Sequence, residues 1–446
     1  MHLQVSLTFD LSASSSLADL EEAIVTQGHE SMCQALQQAI KEWEQHQRRC
    51  PTCGRDEVRV EGTVGRTLLL VFGRIRLALR RYRCQHCLHR WCPARRLLRD
   101  LRGQQVSPGL REAAVLAGSS WPYRHAAQLM ERLCGAHISA EEVRQLTMQQ
   151  GNQQAHAQQQ HAEEVVASAP KEEKGEAGVA GIDGGWTHSC EQAGGMEGKV
   201  AVLACNKQVQ EPKAQPDPSQ LTWYELAKRS AKGKRLGPPH KRARWMQRRY
   251  VATFAPSHAL GSLAEAAARE VGLDEESSVV VADGAQWIKQ EAQRHFARAT
   301  HILDWFHLWR VVRKAIRETQ REQQHPETWL TQERTQIKDW LWHGEVDPAI
   351  KRLQSWQEKG EGKALEAALT YLEHQRDWIG SYEAWRQAGY PVGSGVIERA
   401  VSLVINRRMK RGGMRWKRTN ATALVALRTT FLNTDWPREP SHRAFV

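Results

Sequence analysis

The chain has 446 residues, of which 41% are hydrophobic and 25% charged, and a formal net charge of +13. That length supports two to four domains with substantial cores, and the composition excludes a chain disordered throughout. The positive excess favours a polyanionic partner, most often nucleic acid, over the plainer reading of a basic protein with a solvated surface.

Met1–Val5 lacks the basic-then-apolar pattern of a secretory signal, and no apolar run is long enough to span a bilayer. The expected setting is therefore the cytoplasm. The nine cysteines are expected to be reduced there. Their odd number argues against a closed disulfide framework, and their clustering in pairs argues for metal.

Residues 1–48 form an N-terminal segment. Within it, Met32, Leu36, Ile40 and Trp43 recur at helical spacing and predict a packing helix over 31–47. Residues 49–105 follow as a ribbon. Cys50-Pro51-Thr52-Cys53 and Cys84-Gln85-His86-Cys87 are two CxxC turns joined by strand-like sequence, Arg66 to Phe72 and Ile75 to Tyr82. Tetrahedral zinc needs soft ligands, and each CxxC supplies two thiolates from one tight turn. Cys50, Cys53, Cys84 and Cys87 are thus the candidate ligands of one structural Zn²⁺. His86, His89 and Cys92 lie close enough in sequence to replace one of them. The arginines around the ribbon read either as phosphate contacts or as a solvated face.

Residues 106–168 read as three helices with tight turns, the third opened by the capping box Ser139-Ala140-Glu141-Glu142. This fits a helix-turn-helix unit whose third helix would present Arg144 and Gln145 to DNA bases; trihelical bundles also serve as dimerisation units. Pro170 to Gly175 reads as a linker.

From 178 the pattern changes to strands. Gly178 to Gly185 is an apolar strand carrying Asp183, and Lys199 to Cys205 is its expected hairpin neighbour. A Pro-rich polar loop, 208–239, precedes a strand over 248–254. Residues 232–249 hold eight basic residues and no acid, among them Arg248 and Arg249. An Ala-rich helix, Leu260 to Val271, leads to the β-branched run Ser278–Val281 ending on Asp283-Gly284. A parallel strand that delivers an Asp at its C-terminal end places a functional group at the sheet rim. A helix, Trp287 to Phe296, and a short strand from Thr300 follow, the latter running into Asp304 and His307. Residues 308–390 read as an all-α, Trp-rich insertion, its tryptophans more often core than base-stacking platforms. Within 391–446, a Gly-Ser-Gly turn opens a helix bearing Glu398. Residues 399–418 then hold eight bases and no acid, including Arg407, Arg408, Lys410, Arg411, Arg415 and Lys417. They read as a DNA-phosphate track or, more plainly, as a solvated face.

The order strand, strand, strand, helix, strand, helix, strand, with Asp on the first strand, Asp on the fourth and Glu on a late helix, resembles the RNase H-like fold. The wording around these positions is more specific. Gly181-Ile182-Asp183-Gly184-Gly185-Trp186, Asp283-Gly284-Ala285, Ile302-Leu303-Asp304-Trp305-Phe306-His307, Gly393-Ser394-Gly395-Val396-Ile397-Glu398 and Arg408-Met409-Lys410-Arg411-Gly412-Gly413-Met414-Arg415-Trp416 resemble motifs of DDE insertion-sequence transposases. The nearest likeness is to the ISKra-type branch, with a more distant one to Mutator-like elements. The resemblance runs from about Cys50 to Leu432.

It implies an α/β protein: an RNase H-like catalytic core in two parts (178–307 and 391–446) around the insertion, with the zinc ribbon and helix-turn-helix-like region ahead of it. Asp183, Asp283 and Glu398 would be the catalytic triad holding two Mg²⁺ (or Mn²⁺) ions. One ion would serve the attacking water or DNA 3′-hydroxyl and the other the leaving 3′-oxygen. Asp304 and His307 would either touch this site or tie the fifth strand to the insertion, the second being favoured. The implied partners are double-stranded DNA, as terminal inverted repeats and target, and a further copy of the chain in a homodimer or larger assembly. The implied setting is the bacterial nucleoid. An RNase H-like nuclease or resolvase that cuts without joining, and a non-catalytic DNA-binding regulator, are the competing readings.

Overall fold

The computed structural model describes residues 16–101, 103–168, 175–210, 242–357 and 362–435. The first fifteen residues, the linker at 170–174 and residues 211–241 of the Pro-rich and basic stretch lie outside the described residues. The described chain is mixed α/β, mostly helical, and divides into two compact units, residues 1–150 and 151–446.

The first unit opens on helix α1 (Leu17–His46), capped by the Ser16 hydroxyl oxygen, which accepts from the Asp19 N–H. It starts well ahead of the expected helix. Its first turns pack on little: Leu17 is 80% and Ile24 41% exposed. Burial comes near its C-terminal end, at Ile40 and Glu44. Strands β1 (Val58–Leu70), β2 (Gly73–Cys84) and β3 (Arg90–Trp91) form an antiparallel sheet in chain order. Along β2, buried Ile75, Leu77 and Leu79 alternate with exposed Arg74, Arg76 and Ala78, the period of two that sets one face on a core. α1 covers that face, with the Glu44 carboxylate accepting from the Arg80 N–H at 3.1 Å. A short α2 (Ala94–Leu97) leads to α3 (Pro108–Ser120), α4 (Tyr123–Cys134) and α5 (Ala140–Ala167). Ser107 caps α3, and Gly135, at φ 65°, ends α4.

The second unit is built on strands β4 (Glu176–Thr187), β5 (Met196–Gln210), β6 (Arg242–Thr253), β7 (Leu273–Ala282) and β8 (Thr300–Leu303), with α6 (Ser257–Glu270) and α7 (Gln286–His295) between the later ones. The sheet order is β6-β5-β4-β7-β8. The first three strands are an antiparallel meander, and β4, β7 and β8 run parallel. Val279, Val280 and Val281 are at most 3% exposed, as a strand covered on both faces requires. Each such side chain contributes about 1.5–3 kcal/mol on burial.

The helical region comprises α8 (Trp305–Glu322), α9 (Glu327–His343), α10 (Val346–Gln357), α11 (Lys363–Gln375) and α12 (Tyr382–Gln387). Its described residues share a core with the sheet. A single buried cluster runs from Val280 of the sheet through Trp305 and Ile316 to Leu372 and Trp378. The tryptophans serve that core: the Trp305 ring lies 4.8 Å from Trp342 and 4.9 Å from Tyr382 between centroids. The chain returns to the sheet as α13 (Gly395–Val401), passes through a π-helical turn at Ser402–Asn406 and the short α14 (Arg407–Met409), and ends in α15 (Arg418–Leu432). Among the described residues, no helix is long and apolar enough to cross a membrane.

Candidate functional site

In the first unit, Cys50, Cys53, Cys84 and Cys87 bring their sulfurs within 4.8 Å of one another. Cys50 lies 3.6 Å from Cys87, and Cys53 lies 3.6 Å from Cys84. Ligands at the usual Zn–S bond length stand about 3.8 Å apart around a tetrahedron, so the separations fit one zinc and are too long for disulfides. Burial disfavours the Cys50 thiolate, but the N–H groups of Cys53 and Thr52, together with the Cys87 and Cys53 thiols, draw its pKa below the ordinary thiol value. Of the alternative ligands, His89 stacks on Trp91, and Cys92 packs against the core under α1. Among the described residues, the four thiols are the one gathering of three or more metal-ligating side chains this tight.

In the second unit, β4 and β7 pair in parallel with Gly181 beside Val281. Two residues further along the chain stand Asp183, still within β4, and Asp283, the first residue past β7, so the sheet register brings the two carboxylates to neighbouring positions. Asp183 accepts at Oδ1 from the Gly184 N–H at 2.7 Å, and Asp283 at Oδ1 from the Ala285 N–H at 3.0 Å. α13 carries Glu398 over this end of the sheet and packs on β4 and β5. The approach requires the glycines of β4: a Cβ on Gly185 would stand 2.8 Å from both Val401 and Ile405.

Burial raises the Asp183 pKa to about 6, against the pull of the Gly184 N–H; the charges of Asp283 and Glu398 push it the same way, and His307 opposes them. The three carboxylates thus share one electrostatic neighbourhood. They are spread more widely than the four thiols, as mutual repulsion of like charges favours.

Asp304 is fully buried. Its Oδ1 accepts from the N–H groups of Phe306 (2.6 Å) and His307 (2.9 Å), capping α8, and its Oδ2 accepts from the Ser394 N–H at 2.6 Å. Burial opposes its ionisation, yet hydrogen bonds from His307 and Ser394 hold its pKa at about 2. It therefore ties the end of β8 both to the first insertion helix and to the turn that launches α13. The Ser394 hydroxyl in turn donates to Glu398 Oε1 at 3.0 Å. His307 Nδ1 lies 3.5 Å from Asp304 Oδ2, long for a hydrogen bond, and the attraction holds the imidazole pKa above its ordinary value.

Two residues not singled out in the sequence brace the Asp283 turn. The Tyr371 hydroxyl donates to the Asp283 carbonyl at 3.0 Å, and Gln375 Nε2 to the Gly284 carbonyl at 2.7 Å. Gly284 itself sits at φ 82°, a conformation that L side chains rarely adopt. Tyr371 and Gln375 lie 88 and 91 residues beyond their partners, so no local pattern links them.

The candidate DNA contacts divide. Arg407, Lys410, Arg411, Arg415, Lys417 and Arg248 are exposed. Arg408 is 1% exposed, its guanidinium 5.2 Å from the Trp416 ring centroid. It packs the turn rather than facing a ligand, because the chain folds back on itself at Gly412-Gly413. Arg249 pairs with Glu270 and, at 2.7 Å, with Asp435. Arg144 and Gln145 both donate to Glu141, Arg144 through two nitrogens.

No curated protein matches the chain. Residues 259–387 match a family model described as transposase, of the DDE class and ISL3 group. The matched stretch holds Asp283, Asp304, Tyr371 and Gln375 and stops short of Asp183 and Glu398; it does not bear on the ISKra-type branch. Over this segment, which is less than a third of the chain, the protein is similar to the DDE-class insertion-sequence transposases.

Proposed function

We propose that the chain binds the ends of an insertion sequence and cleaves and rejoins DNA at Asp183, Asp283 and Glu398, on an RNase H-like core. The observation that carries the reading is the parallel register of β4 and β7, which sets Asp183 beside Asp283, with the Glu398 helix laid over the same strands. A sheet of order β6-β5-β4-β7-β8 with an antiparallel first half is the arrangement expected of such a core.

Three carboxylates form a hard, anionic donor set that fits Mg²⁺ or Mn²⁺. Asp183, Asp283 and Glu398 would hold the ion pair, and the ions when bound would supply positive charge to the phosphodiester being cut. The chain's own residues hold this set in place. Gly184 and Ala285 N–H groups fix one oxygen of each Asp, Ser394 orients Glu398, and Asp304 locks the Ser394 turn to the end of β8. The four-thiolate ribbon, with one Zn²⁺, and the α3–α5 helices would recognise the ends, and the exposed basic residues after Glu398 would grip phosphate. Assembly on DNA as a homodimer or larger oligomer, in the bacterial cytoplasm, belongs to the same proposal.

The test is nicking of a labelled element end in Mg²⁺. Asp183→Asn, Asp283→Asn and Glu398→Gln are each expected to keep DNA binding and to lose cutting by orders of magnitude, since charge stabilisation supplies most of the rate. Robust cutting by any one of them removes that residue from the site. Products that are cut but never joined would favour the nuclease reading.

A further inference from the structure

Helix α8 is sharply two-faced. Leu308, Val312, Ala315, Ile316 and Thr319 are buried. On the opposite face Arg310, Arg313, Arg317 and Arg321 are exposed. At 100° per residue these four fall within about 80° of one another, and from Arg310 to Arg321 they cover about 16 Å of helix axis. The stripe begins beside the candidate active site, where the charge of Arg310 is felt at His307.

A solvated basic face would be the plain reading, except for Arg334. This residue reaches the stripe from α9. Its Nε and Nη2 are shielded from solvent and have no hydrogen-bond partner among the described residues. Burial, and then the charges of Arg317 and Arg313, lower its pKa against the opposing charge of Glu327. A fold that holds an unpaired guanidinium among two others, partly out of water, carries an electrostatic penalty. Elsewhere in this region arginines are paired, as Arg352 is with Glu333. Three guanidiniums that form no ion pair among the described residues suit an anion with several acceptor oxygens.

We propose that Arg313, Arg317 and Arg334 form a binding site for backbone phosphates of duplex DNA, on the helical region and outside the carboxylate site. Arg310 and Arg321 extend the track toward and away from the carboxylates. The identity of the anion rests on the reading of the chain as a DNA-cleaving enzyme; the anion site itself rests on the cluster.

The experiment uses the full chain and a labelled duplex of arbitrary sequence, with affinity measured across a salt series and melting measured without DNA. Arg334→Gln is expected to weaken duplex binding severalfold for every sequence and to reduce the slope of log K against log salt by about 0.9 for each phosphate that is no longer neutralised. Arg334→Lys should restore most of the slope, and Lys351→Gln, an exposed change outside the cluster, should leave it unaltered. Without DNA, Arg334→Gln should melt above the wild type, because it removes a repelled charge. A lower melting temperature with an unchanged slope would make Arg334 a structural residue and overturn the site. An unchanged slope, with inorganic phosphate raising the melting temperature of the wild type but not of Arg334→Gln, would assign the cluster to a free anion and overturn the DNA assignment. Wild type that binds no duplex at all would overturn the proposed function, and this assignment with it.

Discussion

Asp183 carries a conflict that can be measured. Its pKa in the folded chain is about 6, raised by burial and by its acidic neighbours; in an unfolded chain it is about 3.9. The folded state therefore binds the proton more tightly. Stability falls as pH rises from about 4 to 6 and stays lowered above that. In EDTA, Asp183→Asn is expected to melt above the wild type at pH 8, by about 1–2 kcal/mol once solvent screening is allowed for, with the gap closing below pH 4. Melting curves at the two pH values check this, and a gap of the same size at both would remove Asp183 from the acidic neighbourhood. The thiols make a parallel case. Purified protein is expected to carry one zinc, measurable by elemental analysis, and Cys50→Ser and Cys84→Ser chains to lose it. Full metal retention by either would leave that cysteine out of the ligand set. Both sites were legible as residues, since a CxxC pair and a strand ending in Asp-Gly are local patterns. The burial that perturbs Asp183 was not, because it depends on which helix covers the strand.

At the scale of elements, the helical region does more than fill the gap between β8 and α13. α11 holds the Asp283-Gly284 turn through Tyr371 and Gln375. Tyr371→Phe removes one donor and little volume. It is expected to slow nicking about tenfold or more, on the scale at which small misplacements of a reacting group are felt, while duplex affinity stays constant. Loss of affinity in step with rate would assign Tyr371 to DNA instead. α15 has a comparable duty. Arg428 donates through Nε to the carbonyls of Val404 (2.8 Å) and Leu403 (3.1 Å), in the π-helical turn that follows Glu398. Burial and the charges of Arg408 and Arg407 lower its pKa to about 10. Arg428→Met should destabilise the fold by about 1.5–3 kcal/mol, the range for a charged hydrogen bond. Chemical denaturation measures it, and a change under about half a kcal/mol would leave those carbonyls satisfied by other donors. The helices themselves were readable from apolar spacing; the partners of Tyr371, Gln375 and Arg428 were not.

For the whole molecule, charge and recognition separate. Arg411→Ala is expected to weaken binding to all duplexes alike and to flatten the salt slope, as happens when one phosphate fewer is neutralised. Arg144→Ala should instead lower the preference for element ends over random DNA, by about 1–3 kcal/mol if the contact is to a base edge. In the folded chain Glu141 holds the Arg144 guanidinium. Glu141→Gln should therefore strengthen DNA binding, and an unchanged affinity would place Arg144 outside the interface. Competition assays with end and random duplexes distinguish these outcomes.

From the sequence alone came the elements and the chemistry: the paired CxxC turns, the strand that carries Asp183 and the one that leads into Asp283, the helix of Glu398, and the basic run behind it. These are short-range facts, written in residue type and spacing over a few turns. The tertiary structure decided the rest. Strand order set Asp183 beside Asp283, since parallel register follows from pairing between segments about a hundred residues apart. Packing buried Arg408, although its neighbours Arg407 and Lys410 stay exposed. It brought Ser394 to the Asp304 carboxylate, and it left Arg334 without an ion pair beside arginines of another helix. Each of these depends on contacts between distant segments, and such contacts exist only once the core has closed.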